Sequence, residues 1–100
     1  MTSPSKRKGN SFERELVNRA SLRGLDSIRA YASDGRSLGE GSEVDVLIQG
    51  MRIQAKRRKC LPAYLQIPDG CDAVVCRQDR GETLVLMRFD DLLDKLGGGW

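Results

Sequence analysis

The stretch that decides the fold is "EVDVLIQGMRIQAKRRK", Glu43 to Lys59. Apolar residues alternate with others on both sides of Gln49 and Gly50, the pattern of two strands, Val44 to Ile48 and Met51 to Lys56 or Arg57, joined by a tight turn. One face of this hairpin collects Val44, Val46, Ile48, Met51, Ile53 and Ala55, a continuous core surface. A two-residue turn pairs position 45 with 54 and 43 with 56, and a register shifted by one residue at each side pairs 45 with 56. Either even-length loop puts Asp45, Gln54 and Lys56 together on the other face.

Upstream, "NSFERELVNRASL", residues 10–22, has helical periodicity. Asn10 is the expected N-cap, Glu13 follows three residues on as in a capping box, and Gly24 ends the helix. At about 100° per residue, Phe12, Leu16, Val17 and Ala20 fall in one stripe about 140° wide, with Glu13 inside it and Glu15 on the solvent side. A carboxylate on a packing face must be paired, capping or bound to a metal. Glu13 either reaches back to the Asn10 amide or belongs to a site.

The remaining chain continues the alternation of strands and helices. "SIRAYA", Ser27 to Ala32, reads as a first strand, and "SDGRSLGEGS", Ser33 to Ser42, as a mobile loop able to close over a ligand. Pro62 opens a short helical or turn segment through Leu65, which Pro68, Asp69 and Gly70 break. "DAVVCR" and "TLVLMR" are two further strands around the turn "QDRGE", and "DDLLDKL" is a terminal helix capped by Asp90 and ended by Gly97. The expected fold class is α/β, a central mixed five-stranded sheet flanked by helices. The expected layout is a flexible basic arm over residues 1–9, a single domain over 10–97 and a short tail over 98–100.

Composition narrows the chemistry. A chain of 100 residues has too little apolar surface for two separate cores, so a large substrate must be held on the outside, with help from a second copy. The hydrophobic share of 39% includes no run approaching the roughly 20 residues of a membrane span. "MTSPSKRKGN" has no apolar core behind its basic residues, so a cytoplasmic location is expected rather than secretion, the host cytoplasm if the chain is viral. Cys60, Cys71 and Cys76 are odd in number and lack a C-x-x-C spacing, and the chain has no histidine. Zinc therefore has too few ligands, and histidine general bases and triads are excluded. The three cysteines are expected as reduced thiols. Seventeen basic and fourteen acidic residues leave only +3, but the cations cluster at Lys6, Arg7 and Lys8 and again at Lys56, Arg57, Arg58 and Lys59. Such clusters attract a phosphate backbone, or else form a solvated face that binds nothing.

The polar face of the hairpin suits a hard metal ion. Magnesium prefers oxygen ligands, keeps several waters and takes one or two protein carboxylates, with substrate phosphate completing its shell. Asp45 is the first candidate ligand; Gln54 offers a side-chain carbonyl, Ala55 a backbone carbonyl, and Glu13 a second carboxylate directly or through water. Lys56 can orient a water nucleophile or stabilise charge on the attacked phosphate. The plainer alternative is a cross-strand ion pair between Asp45 and Lys56 on a solvated face.

"KGNSFERELV", "GLDSIRAYASDG", "VDVLIQG" and "IQAKRRK", in this order and spacing, resemble the PD-(D/E)XK nuclease superfamily and, within it, the archaeal-type and phage Holliday junction resolvases. The resemblance covers roughly Lys8 to Lys59. It implies a restriction-endonuclease-like fold, with Glu13 as the helix carboxylate of the site, Asp45 as the metal-binding aspartate and Lys56 as the catalytic lysine. Arg29 and Ser33 become strand-end contacts to the phosphate region, and Gln54 stands where the family usually has glutamate. With Lys6, Arg7, Lys8, Arg36, Arg57, Arg58 and Lys59, these two form the expected DNA-binding set. The activity implied is magnesium-dependent hydrolysis of phosphodiesters in four-way or branched DNA, with manganese as a substitute. Two strands to be cut imply a homodimer. Three alternatives stand beside it: a nuclease of the same superfamily with other DNA specificity, a DNA-binding protein whose metal site Gln54 has weakened, and a protein-interaction domain whose basic clusters are incidental.

Overall fold

A computed structural model describes residues 4–30 and 34–98, with side chains from residue 9 onward. The elements run α1 (Pro4–Leu22), β1 (Ser27–Arg29), a 3-10 turn (Gly35–Leu38), β2 (Val46–Ile48), β3 (Met51–Ile53), a second 3-10 turn (Ala63–Leu65), β4 (Ala73–Arg77), β5 (Thr83–Met87) and α2 (Phe89–Leu96). The chain divides into two compact units, residues 1–57 and 58–100.

In the first unit α1 begins at Pro4, six residues before the expected cap. Proline is tolerated in a first helical turn, where its missing N–H would have no intrahelical partner. Asn10 therefore lies inside the helix, and residues 4–9, expected as an arm, are its first turns. The other end stops as expected. Gly24 takes φ +75, the Leu25 amide donates to Ala20 O at 3.1 Å and the Gly24 amide to Ser21 O at 2.9 Å. This is a Schellman closure, with Ala20 and Leu25 both buried beside it.

The sheet of this unit has the order β1-β2-β3, antiparallel throughout. Ile48 pairs with Met51, so the hairpin turn contains only Gln49 (φ 49) and Gly50 (φ 79), both left-handed as a type I′ turn requires. Gln49 is held there by two bonds to Asp26: its amide donates to Asp26 O at 2.7 Å, and its Oε1 accepts from the Asp26 amide at 2.7 Å. The packing stripe of α1 and the sheet contribute the buried Leu16, Ala20, Leu25, Ala30, Val46 and Ile48.

Residues 34–42, expected as a mobile loop, contain the compact 3-10 turn, and Gly35 at its start is buried. A side chain there would overlap the Gly41 carbonyl and come within 2.8 Å of the Val44 Cβ and carbonyl oxygen. Ser33 and the end of the expected first strand lie outside the described residues.

The second unit contains an antiparallel ribbon, β4 with β5, Ala73 opposite Met87 through Arg77 opposite Thr83. α2 has Asp90 and Asp91 in its first turn and Lys95 in its last, each favourable to the helix dipole. Its N-cap is Arg88 rather than Asp90, without a side-chain cap bond, and Gly97 is the C-cap as expected. The five strands thus form a three-stranded and a two-stranded sheet instead of one mixed sheet. A parallel pairing needs a crossover that packs back on the sheet. Between β3 and β4 the only regular piece is the short 3-10 turn, and it is followed by Pro68 and Gly70.

Candidate active site

Helix periodicity decides the fate of the two carboxylates on α1. Glu13 is 5% exposed, on the stripe with Leu16 and Ala20. Glu15 faces solvent, in an exposed ion pair with Arg19 at 3.2 Å, one turn on. Because the helix runs through Asn10, that residue's amide is no helix-end orphan, and the capping reason for burying Glu13 falls away. Glu13 Oε1 is buried and accepts no hydrogen bond, the residue's polar interactions lying elsewhere.

Two contacts align α1 with β1. Arg29 Nη1 donates to Asn10 O at 3.2 Å, and Ser27 Oγ donates to Val17 O at 3.1 Å. The helix and strand are thereby antiparallel, and the turn carrying Glu13 lies toward the Arg29 end. At that end the Ala30 amide donates to Asp45 O at 2.8 Å, which brings Asp45 to the same corner of the unit.

Asp45 is 8% exposed. Its amide donates to Ile53 O at 2.9 Å, although Ile53 is already the partner of Val46. Two residues on one strand stand against one on the other, the pattern of a β-bulge. Its Oδ2 accepts the Ala55 amide at 2.8 Å, just beyond the end of β3. The bulge breaks the alternation that was expected to keep Asp45, Gln54 and Lys56 on one face: Asp45 is buried, whereas Gln54 and Lys56 are exposed and Ala55 is half-buried. Strand spacing alone carried no sign of it, since a bulge is a choice of hydrogen-bond partners.

The cationic candidates differ in circumstance. Arg29 is half-buried and committed in part to Asn10 O. Arg36 lies on the 3-10 turn and is bound to Asp34, its Nε reaching Oδ1 at 3.0 Å and Oδ2 at 2.9 Å. Those hydrogen bonds hold the Asp34 carboxyl below its ordinary range and push the Arg36 guanidinium up. Asp34 also caps the turn, accepting the Arg36 amide at 3.0 Å, a role not expected from the sequence although aspartate side chains commonly bond the backbone two residues on. Arg57, Arg58 and Lys59 are exposed on irregular chain. The side chains of Lys6, Arg7 and Lys8 lie outside the described ones, but their backbone belongs to α1. Cys60, Cys71 and Cys76 are free thiols.

The donor set bears on which metal it suits. Among the described residues no three His, Cys, Asp or Glu side chains cluster as a metal site. The buried carboxylates Glu13 and Asp45, and the Gln54 side-chain carbonyl and Ala55 carbonyl on the chain leaving β3, are all hard oxygen donors. This fits magnesium, which leaves much of its shell to water and phosphate. Among the described residues no helix is long and apolar enough to cross a membrane.

The family model described as archaeal Holliday junction resolvase (Hjc) matches residues 4–94. No curated protein and no solved structure matches the chain.

Proposed function

The chain belongs to the archaeal Holliday junction resolvase family, and on that premise we propose that it is a magnesium-dependent endonuclease selective for four-way or branched DNA. The observation that carries this reading is the burial of two carboxylates, Glu13 and Asp45, within the first unit. Two carboxylates withdrawn from water are costly unless a cation or hydrogen bonds compensate them. Asp45 has one such bond from Ala55, and a divalent cation held by Asp45 would add to it.

In this reading Asp45 and Glu13 would hold the ion, and the Ala55 carbonyl and, by a turn of its exposed side chain, Gln54 Oε1 would complete the protein's share. Magnesium or manganese bound there would supply Lewis acidity, lowering the pKa of a water and drawing charge from the scissile phosphate. Lys56, exposed on the chain beyond β3, would donate to the non-bridging phosphate oxygens as negative charge builds on them. The water oxygen forms the new bond to phosphorus, and the P–O bond to one deoxyribose breaks with a proton passing to the leaving oxygen. Arg29, Ser33, Arg36, Arg57, Arg58, Lys59 and the Lys6 to Lys8 segment contact phosphates, which fixes the register of the DNA without reading bases. Two strands exchange at a junction, so a homodimer with one site per protomer cuts both.

Cleavage of matched four-way, forked, linear and single-stranded substrates, with and without magnesium, tests the proposal beside Asp45→Ala. Junction-selective cutting that needs the metal and Asp45 is expected. Binding without cutting at any metal concentration would instead favour a DNA-binding protein disabled at Gln54, and equal cutting of linear DNA a nuclease of other specificity.

A further inference from the structure

We propose that Asp34 is a positioning residue for DNA, fixing the Arg36 guanidinium in the orientation in which it takes a backbone phosphate, an inference that rests on the DNA binding proposed above. Arg36 is one of several cations assigned to phosphates there. What sets it apart is a side chain already held in place before any DNA arrives.

Arginine has five N–H donors on a rigid planar group, at the end of a long stem whose rotamers must be frozen on binding. Asp34 does that freezing. Arg36 Nε donates to Asp34 Oδ1 at 3.0 Å and to Oδ2 at 2.9 Å, and Nη2 also donates to Oδ2, so the carboxylate covers one edge of the guanidinium. Both hydrogens of Nη1 and one of Nη2 lie on the opposite edge, and the side chain is 76% exposed. An edge with two parallel N–H groups matches two oxygens of a phosphate.

The carboxylate is itself fixed by the backbone. Asp34 Oδ1 accepts the Arg36 amide at 3.0 Å, and Asp34 O accepts the Ser37 amide at 3.2 Å and Ser37 Oγ at 3.0 Å. The Glu40 amide donates to Gly35 O at 2.9 Å and closes the turn. Gly35 sits against Val44, the residue before Asp45, so closely that a side chain there would overlap it. The turn that carries Arg36 is thereby packed beside the proposed metal ligand.

An exposed ion pair adds little to stability, so the pair matters chiefly for what Arg36 does next. Two opposite effects on DNA follow. The Asp34 charge repels the phosphate that Arg36 attracts, through water and screened by salt. Against that, an arginine ordered in advance spares the complex the cost of ordering it, roughly a 2- to 12-fold gain in affinity for one long side chain. At about 0.15 M salt the repulsion is damped and the ordering is not, so positioning outweighs repulsion.

The test is equilibrium binding of a four-way junction to the full chain in EDTA, at about 0.15 M salt. Asp34→Asn keeps an oxygen for the Arg36 amide but turns an N–H toward the guanidinium, which breaks the paired contact. It is expected to weaken junction binding roughly 2- to 12-fold, although it removes a negative charge from a DNA-binding surface. In an Arg36→Ala background the same substitution is expected to cause no further loss. Arg36→Lys keeps the charge without the fork and is expected to bind as weakly as Asp34→Asn, a comparison that stands even if the Asp34 variant folds poorly. Unchanged or tighter binding by Asp34→Asn makes Asp34 a competitor for Arg36, and an equal loss in the Arg36→Ala background makes it a prop for the turn. Either result, or parental binding by Arg36→Lys, overturns the positioning role alone. A parent chain that binds no junction overturns the proposed function, and this inference with it.

Discussion

The Ala55 amide donates to Asp45 Oδ2 at 2.8 Å, across the bulged end of the β2–β3 hairpin. The same aspartate gives its amide to Ile53 O and receives the Ala30 amide on its carbonyl. Three segments of chain are thus registered on one residue, and the carboxylate proposed to hold the metal also closes the sheet.

Asp45→Asn and Asp45→Ala separate these two roles. Asparagine retains an oxygen for the Ala55 amide, so its unfolding midpoint should stay near the parent's while magnesium-dependent cleavage is lost. Alanine removes that bond as well and should cost about 1–2 kcal/mol in denaturant unfolding. Parental cleavage by either variant would remove Asp45 from the site.

Glu13 and Glu15 are two residues apart with opposite burial. Glu13→Gln should lower single-turnover cleavage at least about tenfold, since it neutralises one of the two buried carboxylates among the described residues. Glu15→Gln removes an exposed pair with Arg19 worth about 0.3–0.5 kcal/mol and should leave cleavage unchanged. Equal rates for the two variants would argue that Glu13 has a packing role only.

Gln54 and Lys56 are exposed on the chain that leaves β3. Gln54→Glu adds a hard anionic ligand and should lower the magnesium concentration needed for half-maximal cleavage. Lys56→Ala should slow the chemical step by about 100-fold while changing junction affinity less than about threefold, because one lysine is a small share of the phosphate attraction. A binding loss as large as the rate loss would make Lys56 a DNA anchor instead.

Gly35 has no room for a side chain, since a Cβ would meet the backbone at Gly41 and Val44. Gly35→Ala should destabilise the chain by about 1–3 kcal/mol, the usual range for overpacking, whereas Gly39→Ala meets no neighbouring atom and is opposed only by its φ of +77. Thermal unfolding of the two variants checks the order.

The Asp34–Arg36 pair makes a prediction in pH. Hydrogen bonds from Arg36 depress the folded-state Asp34 pKa below its ordinary 3.8. Its contribution is therefore present above the unfolded value and is lost as pH falls through the lower folded one. An NMR titration of the Asp34 carboxyl should show a midpoint below 3.8, returning toward it in Arg36→Ala. A midpoint at or above 3.8 would show the pair absent in solution.

What the sequence by itself determined is local and periodic. The Glu13 and Glu15 contrast follows from the helical repeat, the helix end from Gly24, the hairpin turn from Gln49 and Gly50, and the ribbon strands from alternation around "QDRGE", because each depends on residues only a few positions apart. The start of α1 was not legible, since Asn10 and Glu13 imitate a cap and nothing nearby shows that the helix continues back to Pro4. Tertiary structure decided the rest. The bulge at Asp45 and Val46 exists because Ile53 O accepts a bond from Asp45 in a strand pair already registered by Val46, and that choice depends on the partner strand, not on the spacing of either. In the same way the strands formed two antiparallel sheets, because pairing is selected by what the connections bring alongside, and the chain from Gln54 to Asp72 brings only a short 3-10 turn and no α-helix to carry a parallel crossover.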